Sequence, residues 1–491
     1  MRSLLLILLL AGPVGAEPFI VGREGTGASP SSSPLNADRM GTGLSPLNQR
    51  LHAMLIQKPL EGPEVALDYE GAARAAVSQN LGLQVSRWEV QAAQARYNQA
   101  RAQRLPILNS FASYRQKAPD VVEGLLPDTR FIKEAQKAGF NASDLYITGQ
   151  NQMFNRATLF IPVYTGGQLE SQMHVQAALA RVEKFGLERA RQMTAFQAKR
   201  SVLDVLLAEE NARVAEQSLA QAKETVRYAQ DRLAAGVANK YDVMQSEVAL
   251  EQAHDGVTTT RTSLEKTRAA LATLLNLPTL TPFRLRDTLG ELNQVEKAGA
   301  QNAEELTKTA LAQRPELDQI KERLRAAHEN RNVAAAGLLP KLLINLNYDF
   351  IGTTQALRGG LSAVTSLLVP ILDGGLTHAR KQEYDLLARQ IGTDGLRQAQ
   401  AVTLEVLRAL FDTLESDARL QAAQTAETSA REAVRIASLR FQVGAGTSLE
   451  LVSAQTALAN AGYNLANAHY RQIVARATLQ LALGQPVGDT E

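Results

Sequence analysis

The sequence predicts a mainly α-helical chain with a small β portion, built as two tandem structural repeats. Three observations predict it. Landmarks between Pro162 and Pro278 recur without a gap 208 positions later, between Pro370 and Pro486. Pro162 maps to Pro370, Gly166 and Gly167 to Gly374 and Gly375, Arg232 to Arg440, Gly236 to Gly444, and Leu250 to Leu458. Each copy is dominated by Ala, Leu, Gln, Glu and Arg, the composition of long helices. Ahead of each long helical stretch stands a pair of runs that alternate apolar and polar residues, the period of a half-buried strand.

In chain order, Met1-Arg2-Ser3 puts a positive charge before the apolar run Leu4 to Leu10, and Val14-Gly15-Ala16 supplies small residues. This reads as a signal peptide over 1–16. Residues 17–64 are rich in Gly, Ser and Pro, which predicts an extended or disordered segment. The first repeat spans 65–278, a linker 279–302, the second repeat 303–486, and a tail 487–491.

The first repeat opens with a helical segment from Val65 to Leu105, with Ala72, Ala73, Ala76, Val77, Leu81 and Leu83 at helical spacing, and it stops at Leu105-Pro106. Its counterpart runs from Ala303 to Leu339 and stops at Leu339-Pro340, an offset of 234 instead of 208. The additional 26 residues lie between Pro106 and Pro162 and predict a longer loop, over Asp120 to Thr148, in the first copy.

After Pro340, the residues Leu342, Ile344, Leu346, Tyr348 and Phe350 alternate with Lys341, Asn345, Asn347 and Asp349. A second run, Leu361 to Ile371, completes a predicted hairpin. In the first copy, Ala157, Leu159, Ile161 and Val163 alternate with Arg156, Thr158, Phe160 and Pro162, and Ile107 to Tyr114 supplies the partner. Strands of about 10 residues match the length of a tilted transmembrane strand. Four strands cannot close a barrel, for which about eight are needed, and an open edge in lipid leaves backbone groups unsatisfied. Strands of this kind in a membrane therefore require oligomerisation.

From Gln168 to Ala235 the chain predicts one helix of roughly 100 Å at about 1.5 Å per residue. The two shorter helices of each copy, stacked end to end, match that length, which predicts a helical tube beneath a small barrel. Ala418, Ala422, Ala426, Ala430, Ala433 and Ala437 allow close seams, while Leu203 and Leu206, with their counterparts Phe411 and Leu414, add bulk. Gly392 and Gly395 each cost about 1 kcal/mol inside a helix and predict a bend in the second long helix.

Composition removes several function classes. With no cysteine there are no disulfides, thiolate metal sites or lipid-bearing cysteine. Lysine and arginine number 52 against 50 aspartates and glutamates, interspersed, so no basic block tracks nucleic acid. The histidines His52, His174, His254, His328, His378 and His469 lack zinc-ligand spacing. With no phosphate loop and no nucleophile elbow either, the expectation is a protein that is not an enzyme and uses no catalytic residue, cofactor or metal.

The order, spacing and duplication of these landmarks resemble the TolC-like outer-membrane efflux protein family. The resemblance rests on Leu105-Pro106 and Leu339-Pro340 at the start of strands, on strand ends at Val163 to Gly167 and Ile371 to Gly375, and on the turns Arg232 to Asp242 and Arg440 to Glu450. It covers residues 65–486. It implies a homotrimer sharing a 12-stranded transmembrane β-barrel in outer-membrane lipid, continuous with a long α-helical barrel, a coiled-coil tunnel, in the periplasm of a Gram-negative bacterium. The implied work is passive conduction, in a tripartite efflux or type I secretion system with a periplasmic adaptor and an inner-membrane transporter, of drugs, metals or polypeptides.

At the tip, Gly236 and Gly444 reverse the long helices. Asp242 and Glu450 begin the returning helices, where two readings stand side by side: helix capping at the N-terminal dipole, and acidic rings around an aperture. Arg232 and Arg440 sit one turn before their glycines as helix-end caps. The turns Ala235-Gly236-Val237 and Val443-Gly444-Ala445 resemble the family's adaptor contacts. Family gate positions hold Phe441, Gly446 and Ser453 here, so the family's latch contacts do not carry over. The alternative function is a periplasmic coiled-coil scaffold or adaptor without a pore.

Overall fold

The computed structural model describes residues 65–116, 137, 151–236, 239–278, 283–292, 302–353 and 356–485. The signal peptide, segment 17–64, nearly all of the longer first loop, most of the linker, Val237, Pro486 and the tail lie outside the described residues.

The elements are β1 (Val65–Leu67), α1 (Tyr69–Gln79), α2 (Leu81–Ala102), β2 (Ile107–Gln116), β3 (Asn151–Tyr164), α3 (Gln168–Ala234) and α4 (Lys240–Leu274). They continue with β4 (Phe283–Leu285), α5 (Leu289–Leu292), α6 (Ala303–Gln313), α7 (Pro315–Ala335), β5 (Lys341–Thr353), β6 (Ala356–Leu368), α8 (Leu376–Gln442) and α9 (Ser448–Ala482). The helices α3 and α8 each have 67 residues, and α4 and α9 each have 35. No helix among the described residues is long and apolar enough to cross a membrane.

The opening segment of each half is broken, where the sequence predicts one helix. Val65–Leu67 is a short strand paired in parallel with Phe283–Leu285. The chain then bends at Asn80, whose backbone is extended and whose side chain accepts from Leu83 N–H at 3.1 Å while donating to the Leu274 carbonyl at 3.0 Å. In the second half Pro315 imposes the break, because a residue before proline is pushed to extended backbone, as Arg314 is. The second long helix, by contrast, is continuous through Gly392 and Gly395; a Cβ on Gly395 would come within 3.1 Å of Ile320, so glycine lets α7 approach α8.

Helix α3 is flanked along its whole length. Near the sheet it packs on α2 and α7, with ion pairs Arg181–Glu322 at 2.7 Å and Arg189–Glu316 at 2.7 Å. Towards its turn it packs on α4 and α9, with Arg268–Glu209 at 2.9 Å and Arg261–Glu216 at 2.6 Å. Midway, Ala198, Val202, Leu203, Val205 and Leu206 join Leu67, Ala72, Leu271, Leu275, Phe283 and Ile473 in the largest apolar core. Helix α8 packs on α6, α7 and α9 and carries a second core at Val402, Val406 and Ala409.

The repeat-related positions differ in what covers them. Leu203 and Leu206 are 1% and 4% exposed, whereas Phe411 and Leu414 are 62% and 58% exposed. The cause is position: α3 has helices on both sides, and α8 is an edge helix with one apolar face open. Leu81, Val85 and Trp88 on α2, and Tyr241, Met244 and Val248 on α4, are exposed on the opposite edge.

Candidate functional site

The first functional feature is the four-stranded antiparallel sheet in the order β2-β3-β5-β6. Among the described residues its outer strands β2 and β6 each have one unpaired edge. Cross-strand partners project to the same face, so the register sorts the side chains. One face carries Leu108, Leu159, Leu346 and Ala363 in one row, Ile161, Ile344 and Thr365 beside it, and Tyr164, Leu342 and Leu367 at the foot. The other carries the row Asn109, Thr158, Asn347 and Ser362, then Arg156 opposite Asp349. There Thr158 donates to Asn347 at 2.9 Å and Arg156 donates Nε–H to Asp349 at 2.6 Å.

The strands end close to the sequence expectation, with one correction. β6 stops at Leu368, so Val369, Pro370 and Ile371 are not strand. Proline has no N–H for a ladder, and in β3 the register shifts between Pro162 and Tyr164 for the same reason.

The second feature is the pair of turns at the far ends of α3 and α8. Gly236 and Gly444 hold φ of 73° and 78°, the left-handed conformation that favours glycine. Ala235, Val443 and Ala445 are exposed around them. Asp242 sits at the third position of α4 in a capping box: its N–H donates to Asn239 Oδ1 at 3.1 Å, and its own Oδ2 accepts from Asn239 N–H at 3.4 Å. Glu450 has the same place in α9, its N–H donating to Thr447 Oγ1 at 3.2 Å.

The two turns are joined to each other. Ser448, 1% exposed, donates Oγ–H to Asp242 Oδ1 at 2.8 Å. Arg232 donates Nη1–H to the Phe441 carbonyl at 2.9 Å and places its guanidinium 4.8 Å from the centre of the Phe441 ring. Phe441 is buried, at 3% exposure, by this arrangement. Arg232 therefore caps the end of α8 as well as standing in the last turn of α3. Arg440 donates to the Ala445 carbonyl at 3.3 Å and lies 3.6 Å from Glu450.

Sequence reasoning named Arg232, Arg440, Asp242 and Glu450 but did not pair them, and it missed Asn239, Thr447 and Ser448. The spacings Asn239-x-x-Asp242 and Thr447-x-x-Glu450, 208 residues apart, carry the capping-box signal that identifies the first two. Nothing local marks Ser448, since its partner lies on another helix. Among the described residues no group of His, Asp and Glu is placed to hold a metal ion.

A protein-family model described as outer membrane efflux protein matches residues 72–277 and 306–485. The chain is 25% identical over 285 residues to the pyoverdine export outer membrane protein OpmQ of Pseudomonas putida, a match over 57% of this chain and 60% of that protein. It is 23% identical over 421 residues to the cation efflux system protein CusC of Escherichia coli O157:H7, over 83% and 84%. The chain thus spans about three-fifths of the length of the first relative and most of the second. A crystal structure of CusC superposes with a TM-score of 0.72 at 18% identity, over 88% of this chain and 96% of that one.

Proposed function

The chain belongs to the outer membrane efflux protein family, whose place is the outer membrane of Gram-negative bacteria, and we propose that it is the exit duct of a tripartite efflux or type I secretion system. Three copies close a 12-stranded barrel from three four-stranded sheets, and their helices, two tandem repeats per chain, continue it as a tunnel across the periplasm. A periplasmic adaptor and an inner-membrane transporter supply the cargo and the energy, and the duct conducts passively.

The observation that carries this reading is the sheet. One apolar face, one face with polar rows and two unpaired edges are stable in lipid only when the edges meet another copy. The helices support the same closure: the open apolar face of α8 and the exposed residues of α2 and α4 lie on opposite edges, so each covers the other in the next copy. Relatives export pyoverdine and cations by name; this chain's cargo is set by its partner transporter.

The tip formed by Gly236 and Gly444 is the closable end and the adaptor contact, with Ala235, Val443 and Ala445 presented there. Arg232 on Phe441, and Ser448 on Asp242, hold the two helical turns of one chain together and so keep the aperture narrow. Asp242 and Glu450 act first as caps, and three copies of each bring carboxylates to the rim. The test is conductance of the purified protein in a planar bilayer. Small, stable, cation-preferring steps support the duct. Protein that leaves membranes under a high-salt wash and gives no steps supports the pore-free scaffold instead.

A further inference from the structure

A cleft of about 370 Å³ lies where the strands meet the helices, lined by Arg101, Arg104, Leu105, Val163, Tyr164 and Glu170 among others. We infer that it binds the phosphate of an anionic glycerophospholipid at the periplasmic surface of the membrane. The inference rests on the reading of the sheet as membrane-spanning.

Three observations carry it. The register puts Tyr164 on the same face as Leu342 and Leu367, the apolar face of the sheet, at its foot. An aromatic with a polar tip at that level is the side chain that membrane–water boundaries favour. Lining the same cleft, the last turn of α2 presents Arg101 and the turn after it Arg104, whose Nη2 is 3.3 Å from Glu170 and whose side chain is 41% exposed. Exposed Leu105 and Leu108 continue from these cations onto the strand. Apolar surface above, two guanidiniums below and a recess between them match one amphiphile, acyl chain upward and phosphate downward.

The repeat supplies an internal control. At the positions equivalent to Arg101, Arg104, Tyr164 and Glu170 the second copy has Ala335, Leu338, Leu372 and His378. The same strand-to-helix junction is therefore built without either guanidinium, so the cations in the first copy are not demanded by the fold.

The test is native mass spectrometry of the full assembled protein, titrated with dioleoylphosphatidylglycerol, with dioleoylphosphatidylcholine, and with sodium phosphate as competitor. Removing one basic side chain near an anionic surface weakens attraction about fivefold, so Arg101→Ala with Arg104→Ala weakens phosphatidylglycerol about 25-fold. Arg101→Lys with Arg104→Lys retains most of it, phosphatidylcholine binds both proteins alike, and the double alanine variant keeps the assembled mass. A matched loss of charge near the turns, Lys223→Ala with Arg227→Ala, leaves the lipid bound. Unchanged phosphatidylglycerol in the double alanine variant, an equal loss in the Lys223 and Arg227 variant, or displacement by millimolar phosphate alone would overturn the inference. Flotation with vesicles is read in parallel: protein that fails to float removes the membrane reading itself, whereas protein that floats but ignores the two arginines removes only the lipid site.

Discussion

Replacing Arg232 by glutamine should loosen the tip and raise its conductance. The side chain reaches the other helical turn of its own chain through a 2.9 Å hydrogen bond to the Phe441 carbonyl and a 4.8 Å stacking of the guanidinium on the Phe441 ring. A hydrogen bond from a charged donor contributes about 1.5 kcal/mol, and partial exposure reduces it to about 1. A cation over an aromatic ring adds about 1 kcal/mol. Losing both costs about 2 kcal/mol, roughly a 30-fold shift towards the separated turns in each chain. If three chains open together the shifts multiply, giving about 6 kcal/mol, on the order of 10⁴-fold. Single-channel recording reads this as longer or larger open events. Arg232→Lys, which keeps the charge but not the planar fork, should fall between. A glutamine variant that is folded and assembled but conducts like the wild type would refute the reasoning.

Three further outcomes follow from contacts and exposure elsewhere in the chain. Arg314, 1% exposed, donates to the Ala482 carbonyl at 2.8 Å and to Glu405 at 2.7 Å, so Arg314→Ala should destabilise by about 3 kcal/mol in urea unfolding, and Glu405→Gln by less. Asp373 starts α8 by accepting N–H bonds from Thr377 at 2.8 Å and Gly375 at 3.0 Å, and the hydrogen bonds from Thr377 hold its carboxyl below the usual range. A depressed folded pKa gives stability that is present above the unfolded value near 4 and lost as pH falls through the folded one. Amide protection in the first turn of α8 should therefore fall below about pH 4 in the wild type, and show no such step in Asp373→Asn. The single tryptophan, Trp88, is 58% exposed in one chain on the edge assigned to a neighbouring copy; its emission should shift to the blue on assembly, and unchanged emission would place α2 outside the interface.

The alternation from Lys341 to Phe350 survives into β5 because a strand's faces depend only on neighbours along the chain, and the 208-residue repeat fixes α3 and α8 to equal length. Asn80 shows the limit: no proline marks it, the glycine two residues on, Gly82, lies inside α2, and the break depends on a carbonyl of α4, 194 residues away. β1 and β4, three residues each, are too short for any period to register. At the tip, residue types pointed to the turns, but the pairings Arg232 with Phe441 and Ser448 with Asp242 form between separate helical turns, and only the packed chain brings them together.

The central claim is that β6 of one copy pairs with β2 of the next, and the absence of native cysteine allows a direct test. Asn109→Cys on β2 can be combined in turn with Ser362→Cys, Val364→Cys and Ser366→Cys on β6. Within one chain these sites are separated by three strand spacings, about 14 Å, beyond the reach of a disulfide. Oxidation in native membranes should convert at least one combination into a covalent trimer, with reduction restoring the single chain. Single chains alone from every combination, in protein that remains in the membrane, would contradict the shared barrel.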